Sequence, residues 1–163
     1  MPVTTTHLEM HSPDEIRSKD CADPLFQVVR AGVPQWQVNR FFYQLVGGPW
    51  NWDAYLGKTE DEWRALTEAG DLHTFIALYD GSPAGYFELR QADGEVEIWH
   101  FGLARAFIGK GLGGPLLTRA LEEAWRCGPT RVWVHTCDKD HPAALANYQA
   151  RGLKAFKVDT ESD

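Results

Sequence analysis

The sequence predicts a three-layer α+β domain, in which helices flank a mixed, mostly antiparallel central sheet of six or seven strands. Three strand patterns joined by short turns run over residues 73–103, and strand patterns alternate with helix patterns over residues 112–158. The first arrangement is typical of an antiparallel meander, and the second of a right-handed β-α-β crossover. The predicted order of elements is therefore β-α-α-β-β-β-α-β-α-β.

The N-terminal half of that order contains one strand and two helices. Residues 25–29 form a short apolar strand pattern, and residues 35–46 repeat apolar side chains at helical spacing. Gly47, Gly48 and Pro49 end this helix, because glycine and proline interrupt helical structure. Thr59 and Glu62 have the spacing of a capping box, which predicts the start of the second helix.

The three strands of the meander are predicted over residues 73–81, 84–90 and 95–103. The turns between them contain Gly81-Ser82-Pro83 and Asp93-Gly94, both of which are turn signals. These short turns imply that each strand pairs with the next one.

The C-terminal half alternates helix and strand. A helix is predicted over residues 112–126, a strand over 131–136, a helix over 140–150 and a last strand over 153–158. Asp140 is expected to cap the second of these helices.

The composition suits one domain, which we assign to residues 21–163, with residues 1–20 as a flexible N-terminal arm. The arm is polar and lacks the apolar segment of a secretion signal. Three widely spaced cysteines fit a reducing cytoplasm better than a disulfide framework. We therefore expect a cytoplasmic protein.

The charge pattern excludes some classes of partner. A formal charge of −7 disfavours binding to nucleic acid, which requires a basic surface. No apolar run is long enough to span a membrane, and we identify no metal-binding motif. The acidity is compatible with a cationic substrate, although it is more often a matter of solubility.

A glycine-rich loop over residues 107–114 comes directly before the helix pattern of residues 112–126. Glycines allow an anion to approach the backbone, and a helix N-terminus presents free N–H groups and a positive dipole. This combination favours a phosphate-binding site over a simple turn. The four glycines are Gly109, Gly111, Gly113 and Gly114.

Two other phosphate-binding motifs fit the loop poorly. Gly109, Gly111 and Gly114 formally match the dinucleotide fingerprint, but the loop does not follow its strand directly and a meander precedes it. A nucleotide-dependent oxidoreductase is therefore a weaker alternative. The P-loop pattern is absent, since a glycine follows Lys110.

The segment L-x-R-x-x-I-G-K-G-L-G, residues 103–113, resembles the central motif of the GNAT superfamily of acyl-CoA-dependent N-acetyltransferases. Residues 140–156, DHPAALANYQARGLKAF, resemble a second hallmark of that superfamily, a helix whose tyrosine precedes a glycine. The resemblance extends over residues 72–156, and the predicted order of elements also matches. It implies a GNAT-like fold.

The sequence departs from the family pattern at four points. Ile108 replaces the usual Arg or Gln, Arg105 a frequent proline and Leu153 the usual Phe. Lys110, Arg105 and Arg119 are alternative cationic partners for phosphate. The chain also has few residues after position 157 to form the family's seventh strand, so that strand is either missing or supplied by another segment or a partner chain.

The resemblance implies that a primary amine attacks the thioester of acetyl-CoA directly in a ternary complex. The acceptor would be a small molecule or an amino-acid-like or peptide-like amine, with a homodimer as an alternative to a monomer. A non-catalytic acyl-CoA-binding module is the alternative function. The expected acetyl-CoA contacts are Phe101, Gly102, Leu103, Ile108, Gly109, Lys110, Gly111, Leu112, Gly113, Gly114 and Asn147, with Gly102 a plausible bulge residue.

The resemblance also implies two catalytic roles. Glu97 is expected to be the general base, with Glu95 as the less favoured choice. Tyr148 matches the family tyrosine that gives a proton to the departing sulfur. His100 points to the other face unless a bulge near Phe101-Gly102 redirects it, and we interpret it as structural.

Aromatic residues are concentrated in residues 47–63, which would cover the acceptor side of the fold. With Asp53 nearby, their rings would hold a cation, although they would equally seal the helices onto the sheet. The expected acceptor-binding residues are Trp50, Trp52, Tyr55 and Trp99.

Overall fold

The computed structural model describes residues 2–162. These residues form seven strands and four helices, with single turns of 3₁₀ helix at residues 13–15, 48–50 and 105–107. The strands are β1 (Val3–Met10), β2 (Phe26–Ala31), β3 (Leu72–Tyr79), β4 (Ser82–Ala92), β5 (Glu95–Leu103), β6 (Arg131–Cys137) and β7 (Lys154–Glu161), and the helices are α1 (Trp36–Gly47), α2 (Glu60–Thr67), α3 (Gly113–Arg126) and α4 (Ala144–Ala150).

All seven strands belong to one sheet, in the order β2-β3-β4-β5-β6-β1-β7. The β2–β5 half is antiparallel throughout, and β5 and β6 form the parallel pair expected from the crossover through α3. The α+β fold with a mixed, mostly antiparallel sheet is therefore confirmed, as is the meander.

The N-terminal segment is a central strand, so the prediction of a flexible arm is wrong for residues 3–10. β1 pairs with β6 on one side and with β7 on the other, antiparallel in both cases. Leu8 and Met10 are fully buried, whereas Thr5, His7 and Glu9 lie on the opposite face. This is the period-two pattern of a half-buried strand, which the run of threonines and charges concealed. β1 is thus the strand that the predicted order of elements lacked, and a segment of the same chain supplies it.

Because β1 and β2 lie far apart in the sheet, residues 11–25 must cross it. This crossing segment runs over the end of α4 and the first turns of α3. The Arg17 N–H donates to the Arg151 carbonyl at 2.9 Å, and the Lys19 N–H donates to Oγ1 of Thr118, also at 2.9 Å. The N-terminal residues are thus tied to the two helices that follow the glycine loop.

The two faces of the sheet carry separate apolar clusters. On one face, Leu117 and Leu121 of α3 are fully buried among inward residues of β1, β4, β5 and β6. On the other face, Phe42 of α1 stacks on Tyr86 with ring centroids 5.3 Å apart. Burying side chains of this size contributes about 1.5–3 kcal/mol each. Within residues 2–162, none of the helices is long and apolar enough to cross a membrane.

The helix starts agree with the sequence at α2 and disagree at α4. Thr59 and Glu62 form the predicted capping box of α2. α4 begins at Ala144 rather than at Asp140, and Asp140 does not cap it. The Asp140 carboxylate instead accepts hydrogen bonds from Thr136 Oγ1 at 2.6 Å and from the Cys137 N–H at 3.1 Å. Asp140 therefore stabilises the turn after β6.

Candidate active site

A gap opens in the sheet between β5 and β6. The two strands pair only from Glu95 to Glu97, opposite Arg131 to Trp133, and separate beyond that point. The β5 backbone over residues 101–103 therefore has an edge that is not paired with β6. A cavity of about 1290 Å³ lies at this gap, and residues from both sides of the sheet line it.

The glycine loop lines one side of the cavity. Gly109 and Gly111 have φ angles of +82° and +78°, a left-handed conformation that glycine adopts without strain. Gly113 begins α3. The Lys110 side chain is exposed and does not line the cavity. Of the predicted loop contacts, the structure brings together Ile108, Gly109, Gly111, Leu112, Gly113 and Gly114.

Residues near α4 complete this side of the cavity, which we call the donor side. Asn147 lines it and donates from Nδ2 to the Gly113 carbonyl at 3.1 Å, which links α4 to the start of α3. Lys19 and Arg151 also line it. Sequence reasoning missed both cations because they lie outside the glycine motif, and it named Arg105 and Arg119 instead. Arg119 is paired with Glu123 at 2.9 Å.

A β-bulge in β5 shapes the opposite side, which we call the acceptor side. Glu88 of β4 lies opposite His100, while the next residue, Leu89, lies opposite Ile98. Trp99 is therefore the extra residue, and Trp99 and His100 lie on the same face with their rings stacked 5.6 Å apart.

The bulge occurs at Trp99 and not at Gly102, so the prediction for Gly102 is wrong. A Cβ at Gly102 would lie 2.6 Å from Val46 Cγ1, so glycine is needed there for the close approach of α1. The side chain that the bulge redirects is nevertheless His100, the residue for which the sequence raised this possibility. His100 faces the cavity, and not the other face that we expected for it without a bulge.

His100 is the outer member of a buried polar chain. Its Nδ1 donates to Oε1 of Glu88 at 2.5 Å, and Nδ2 of Asn39 donates to the other Glu88 oxygen at 2.6 Å. Asn39 also donates to Thr74 Oγ1 at 2.9 Å. Glu88 is only 2% exposed, and a buried carboxylate requires such partners. The hydrogen bond to Glu88 fixes the tautomer of neutral His100, leaving the lone pair on Nε2.

Aromatic rings surround His100. Tyr43, Trp52 and Tyr55 have ring centroids 5.2–5.5 Å from the imidazole. Burial and the nearby Glu88 charge raise the pKa of Tyr55 to about 12, so its hydroxyl stays protonated. Trp50, Trp52, Tyr55 and Trp99, all predicted from the sequence, line the cavity, and Tyr43 was missed because it occupies an ordinary helical position in α1.

Trp50 and Asp53 also line the cavity. Trp50 packs edge-on against His141 with ring centroids 5.0 Å apart. Trp52 donates from Nε1 to Oδ1 of Asp140 at 3.2 Å, which fixes its ring. The turn after β6 thereby positions one wall of the acceptor side.

The two glutamates singled out in β5 differ in their surroundings. Glu95 accepts from Nη1 of Arg131 at 3.2 Å and forms a structural ion pair. Glu97 is 15% exposed and lies 3.6 Å from Nε2 of His135, with burial raising the pKa of its carboxyl. Glu97 does not line the cavity, although His135 does.

Tyr148 lines the cavity on the donor side. The side chain is 6% exposed and packs against Phe101 with ring centroids 5.9 Å apart. Burial, with a smaller contribution from the Asp140 charge, raises the pKa of its phenol well above the ordinary value. The hydroxyl is therefore a stable hydrogen-bond donor and a poor source of a free proton.

The chain belongs to the GNAT acetyltransferase family. Residues 36–153 match the sequence profile described as the acetyltransferase (GNAT) family. The match covers most of the chain and includes the glycine loop and α4. The fold is accordingly that of an acyltransferase, and the resemblance noted in the sequence is confirmed. No curated protein matches the chain.

Solved structures share the fold at low sequence identity. A GCN5-related N-acetyltransferase from Sphaerobacter thermophilus has a TM-score of 0.70 at 15% identity, over 98% of this chain and 50% of that one. One from Kribbella flavida has a TM-score of 0.67 at 18% identity, over 95% and 55%. An IAA acetyltransferase from Bacillus cereus has a TM-score of 0.61 at 24% identity, over 81% and 79%. The chain thus spans about half the length of the first two structures.

Proposed function

We propose that this protein transfers the acetyl group of acetyl-CoA to a hydrophobic primary amine, with His100 as the general base. One observation carries the proposal. The imidazole held by buried Glu88 lies in the same cavity as the glycine loop, at the gap between β5 and β6. The base and the donor-binding backbone therefore face a common space in which the two substrates would meet.

The first step is removal of a proton from the acceptor. An alkylammonium has no lone pair, so it must be deprotonated before it attacks a carbonyl. Nε2 of His100 accepts this proton, and the Glu88 carboxylate then stabilises the resulting imidazolium through Nδ1. The surrounding rings keep the amine out of bulk water, which strengthens these interactions.

The second step is attack on the thioester, the electrophile that acetyl-CoA supplies. The amine nitrogen forms a bond to the carbonyl carbon, the carbon–sulfur bond breaks, and CoA leaves as a thiolate. The backbone N–H groups at the free edge of β5, residues 101–103, would donate to the carbonyl oxygen as it becomes negative. The products are an amide and, after protonation of the thiolate, CoA.

Tyr148 stabilises the departing thiolate by donating a hydrogen bond. Because its pKa lies well above that of a thiol, full transfer of the phenol proton to sulfur is unfavourable. The proton that neutralises the thiolate comes instead from the His100 imidazolium, directly or through water, and the nitrogen releases its second proton to solvent as the amide forms. This role refines the one that the sequence predicted for Tyr148.

Glu97 is the second candidate base. Its raised pKa suits proton transfer, and it lies within 3.6 Å of the cavity-lining His135. His100 is favoured because its own ring lines the cavity, whereas Glu97 would act through another side chain. Substitution of each residue by glutamine separates the two assignments.

The acceptor class follows from the lining of the acceptor side. Aromatic faces attract cations and apolar groups, and Asp53 adds a negative charge. The only lysine and arginine side chains lining the cavity among the described residues are Lys19 and Arg151, which lie on the donor side. An amine with an aromatic or aliphatic body therefore fits better than an amino acid, because the cations nearest this side, Lys58 and Arg90, lie against the rings of Tyr55 and Trp99 and do not line the cavity.

Thermal unfolding with acetyl-CoA, CoA, NADH and ATP in parallel tests donor binding, because a ligand of the folded state raises the melting temperature. Thiol release is then measured with phenethylamine and with phenylalanine, which differ by one carboxylate. The proposal predicts stabilisation by CoA and acetyl-CoA alone, and faster turnover of phenethylamine. Stabilisation by NADH alone would contradict the proposal, and preference for phenylalanine would overturn the acceptor class.

The cytoplasmic location that we propose rests on the three free cysteines.

A further inference from the structure

Two cationic side chains meet over the first turn of α3. A Cβ built on Gly114 would lie 2.6 Å from Cδ of Lys19 and 2.8 Å from Nη1 of Arg151. Lys19 comes from the crossing segment and Arg151 from the end of α4. Because Gly114 has no side chain, the side chains of Lys19 and Arg151 can both lie against the start of α3.

Arg151 carries an unsatisfied charge at this position. Its Nε and Nη1 atoms are buried and have no hydrogen-bond partner in the described chain. Within residues 2–162, no carboxylate lies within ion-pair distance of either Arg151 or Lys19. Burying two unpaired guanidinium N–H groups is costly, and a second cationic side chain beside them adds repulsion. An anion placed between the two side chains would remove both penalties.

The surrounding hydrogen bonds hold this arrangement in place. Oγ1 of Thr118 accepts from the Lys19 N–H and donates to the Gly114 carbonyl, each at 2.9 Å. The Arg17 N–H donates to the Arg151 carbonyl at 2.9 Å. Both cations are thus anchored through the backbone, and their side chains flank the free N–H groups at the N-terminus of α3.

We infer that Lys19, Arg151 and the first turn of α3 form a phosphate clamp for a phosphate group of CoA. The inference rests on the proposed function, because it assigns the ligand of the donor side. It adds a part of the donor site that the glycine motif does not contain. The clamp also gives the crossing segment a role in binding. Lys19 reaches the donor side because the chain must cross from β1 to β2, which lie on different sides of the gap between β5 and β6.

The experiment measures CoA affinity by calorimetry for the wild type and for Lys19→Met, Arg151→Met and the double variant. Lys154→Met and Arg40→Met remove exposed charges elsewhere and serve as matched controls. Dephospho-CoA, which lacks the 3′-phosphate, and inorganic pyrophosphate are additional probes. Melting temperatures without ligand establish that each variant is folded.

The clamp predicts that Arg151→Met weakens CoA binding by about tenfold or more and Lys19→Met by somewhat less, while the controls change little. If the losses persist with dephospho-CoA, the clamp holds the pyrophosphate; if they vanish, it holds the 3′-phosphate. Pyrophosphate alone should raise the melting temperature of the wild type and not of the double variant if the clamp holds the pyrophosphate.

A double variant that binds CoA as tightly as the wild type would overturn the clamp, even if acetyl transfer proceeds normally. The proposed function fails separately, if the variants lose CoA affinity as expected but the wild type acetylates no amine.

Discussion

The two sides of the gap between β5 and β6 are built from different groups. The acceptor side consists of side chains: four aromatic rings around one imidazole, which is held by the buried Glu88. The donor side consists largely of backbone, with two left-handed glycines, the start of α3 and the cations Lys19 and Arg151. Each side therefore suits a different charge.

Under the proposed function, this difference would direct the two substrates to opposite sides of the cavity. An ammonium is attracted to rings and to Asp53, whereas phosphates are attracted to helix N–H groups and cations. The protein carries a net charge of −7, yet Lys19 and Arg151, the described lysine and arginine side chains that line the cavity, are both on the donor side. The comparison implies that the catalytic and donor-binding functions can be removed independently.

The largest expected effect comes from Glu88→Gln, which keeps the shape of the acceptor side and removes its charge. The glutamine oxygen would still accept from Asn39, so its NH₂ would face Nδ1 of His100 and turn that atom into an acceptor. Nε2 would then carry the proton and could not act as a base. We expect kcat/KM for the amine to fall by about 10²- to 10⁴-fold. CoA affinity should not change, and Glu68→Gln on the surface of the chain is the control.

Leu8→Ala tests the strand on which the crossing segment depends. Leu8 is fully buried between the sheet and α3, so we expect a loss of about 2–5 kcal/mol in the free energy of unfolding. Chemical denaturation measures it, with the exposed Val33→Ala as the control. If the N-terminal residues were a flexible arm, Leu8→Ala would change the free energy of unfolding as little as Val33→Ala.

Tyr148→Phe removes a hydroxyl on the donor side of the cavity. Loss of a hydrogen bond to the leaving thiolate should lower kcat by about 10- to 100-fold and leave the KM for acetyl-CoA nearly unchanged. Steady-state kinetics with varied acetyl-CoA distinguish this from a packing role. A packing role would instead lower the melting temperature and raise KM.

Glu97→Gln should produce the smallest effect and a dependence on pH. Burial raises the folded-state pKa of Glu97 above its ordinary value of 4.5, so its ionised form is disfavoured in the folded protein. The contribution of Glu97 to the free energy of unfolding is favourable below pH 4.5, where the carboxyl is protonated, and is lost as the pH rises through the folded-state pKa. The variant should therefore be more stable than the wild type at pH 7.5, by no more than about 1 kcal/mol, and equal to it near pH 4.

Chemical denaturation of Glu97→Gln and of the wild type at pH 7.5 and near pH 4 measures this difference in the free energy of unfolding. A loss of activity in Glu97→Gln as large as that in Glu88→Gln would make Glu97 the base and would contradict the assignment of His100.

The sequence predicted the parts of the site whose position depends on local pattern. The glycine loop, the meander and the aromatic residues before α2 are marked by spacing along one or two elements, and Tyr148 is marked by the resemblance of its helix to the family motif. β1 was missed because its apolar positions are few and its partners, β6 and β7, are more than 120 residues away. Nothing in the first ten residues reveals a pairing at that distance.

The residues of the proposed donor site and the direction of the proposed base were missed for a related reason. Lys19 and Arg151 meet only after the crossing segment passes over α3, so they share no local pattern. His100 was identified, but its direction depends on one extra residue in β5, and a slip of one residue reverses the face of a strand. Glu88 was overlooked because a single glutamate in a strand is ordinarily exposed.

The most direct test of the account is a single-turnover measurement of acetyl transfer by His100→Gln, with the enzyme saturated with acetyl-CoA and phenethylamine as the acceptor. His73→Gln, in β3 and outside the cavity, is the matched control. If His100 is the base, transfer slows by about 10²- to 10⁴-fold at neutral pH while acetyl-CoA affinity is retained, and the rate recovers as the pH approaches the range in which the free amine predominates. A variant that transfers acetyl as fast as the wild type across the pH range would contradict the account.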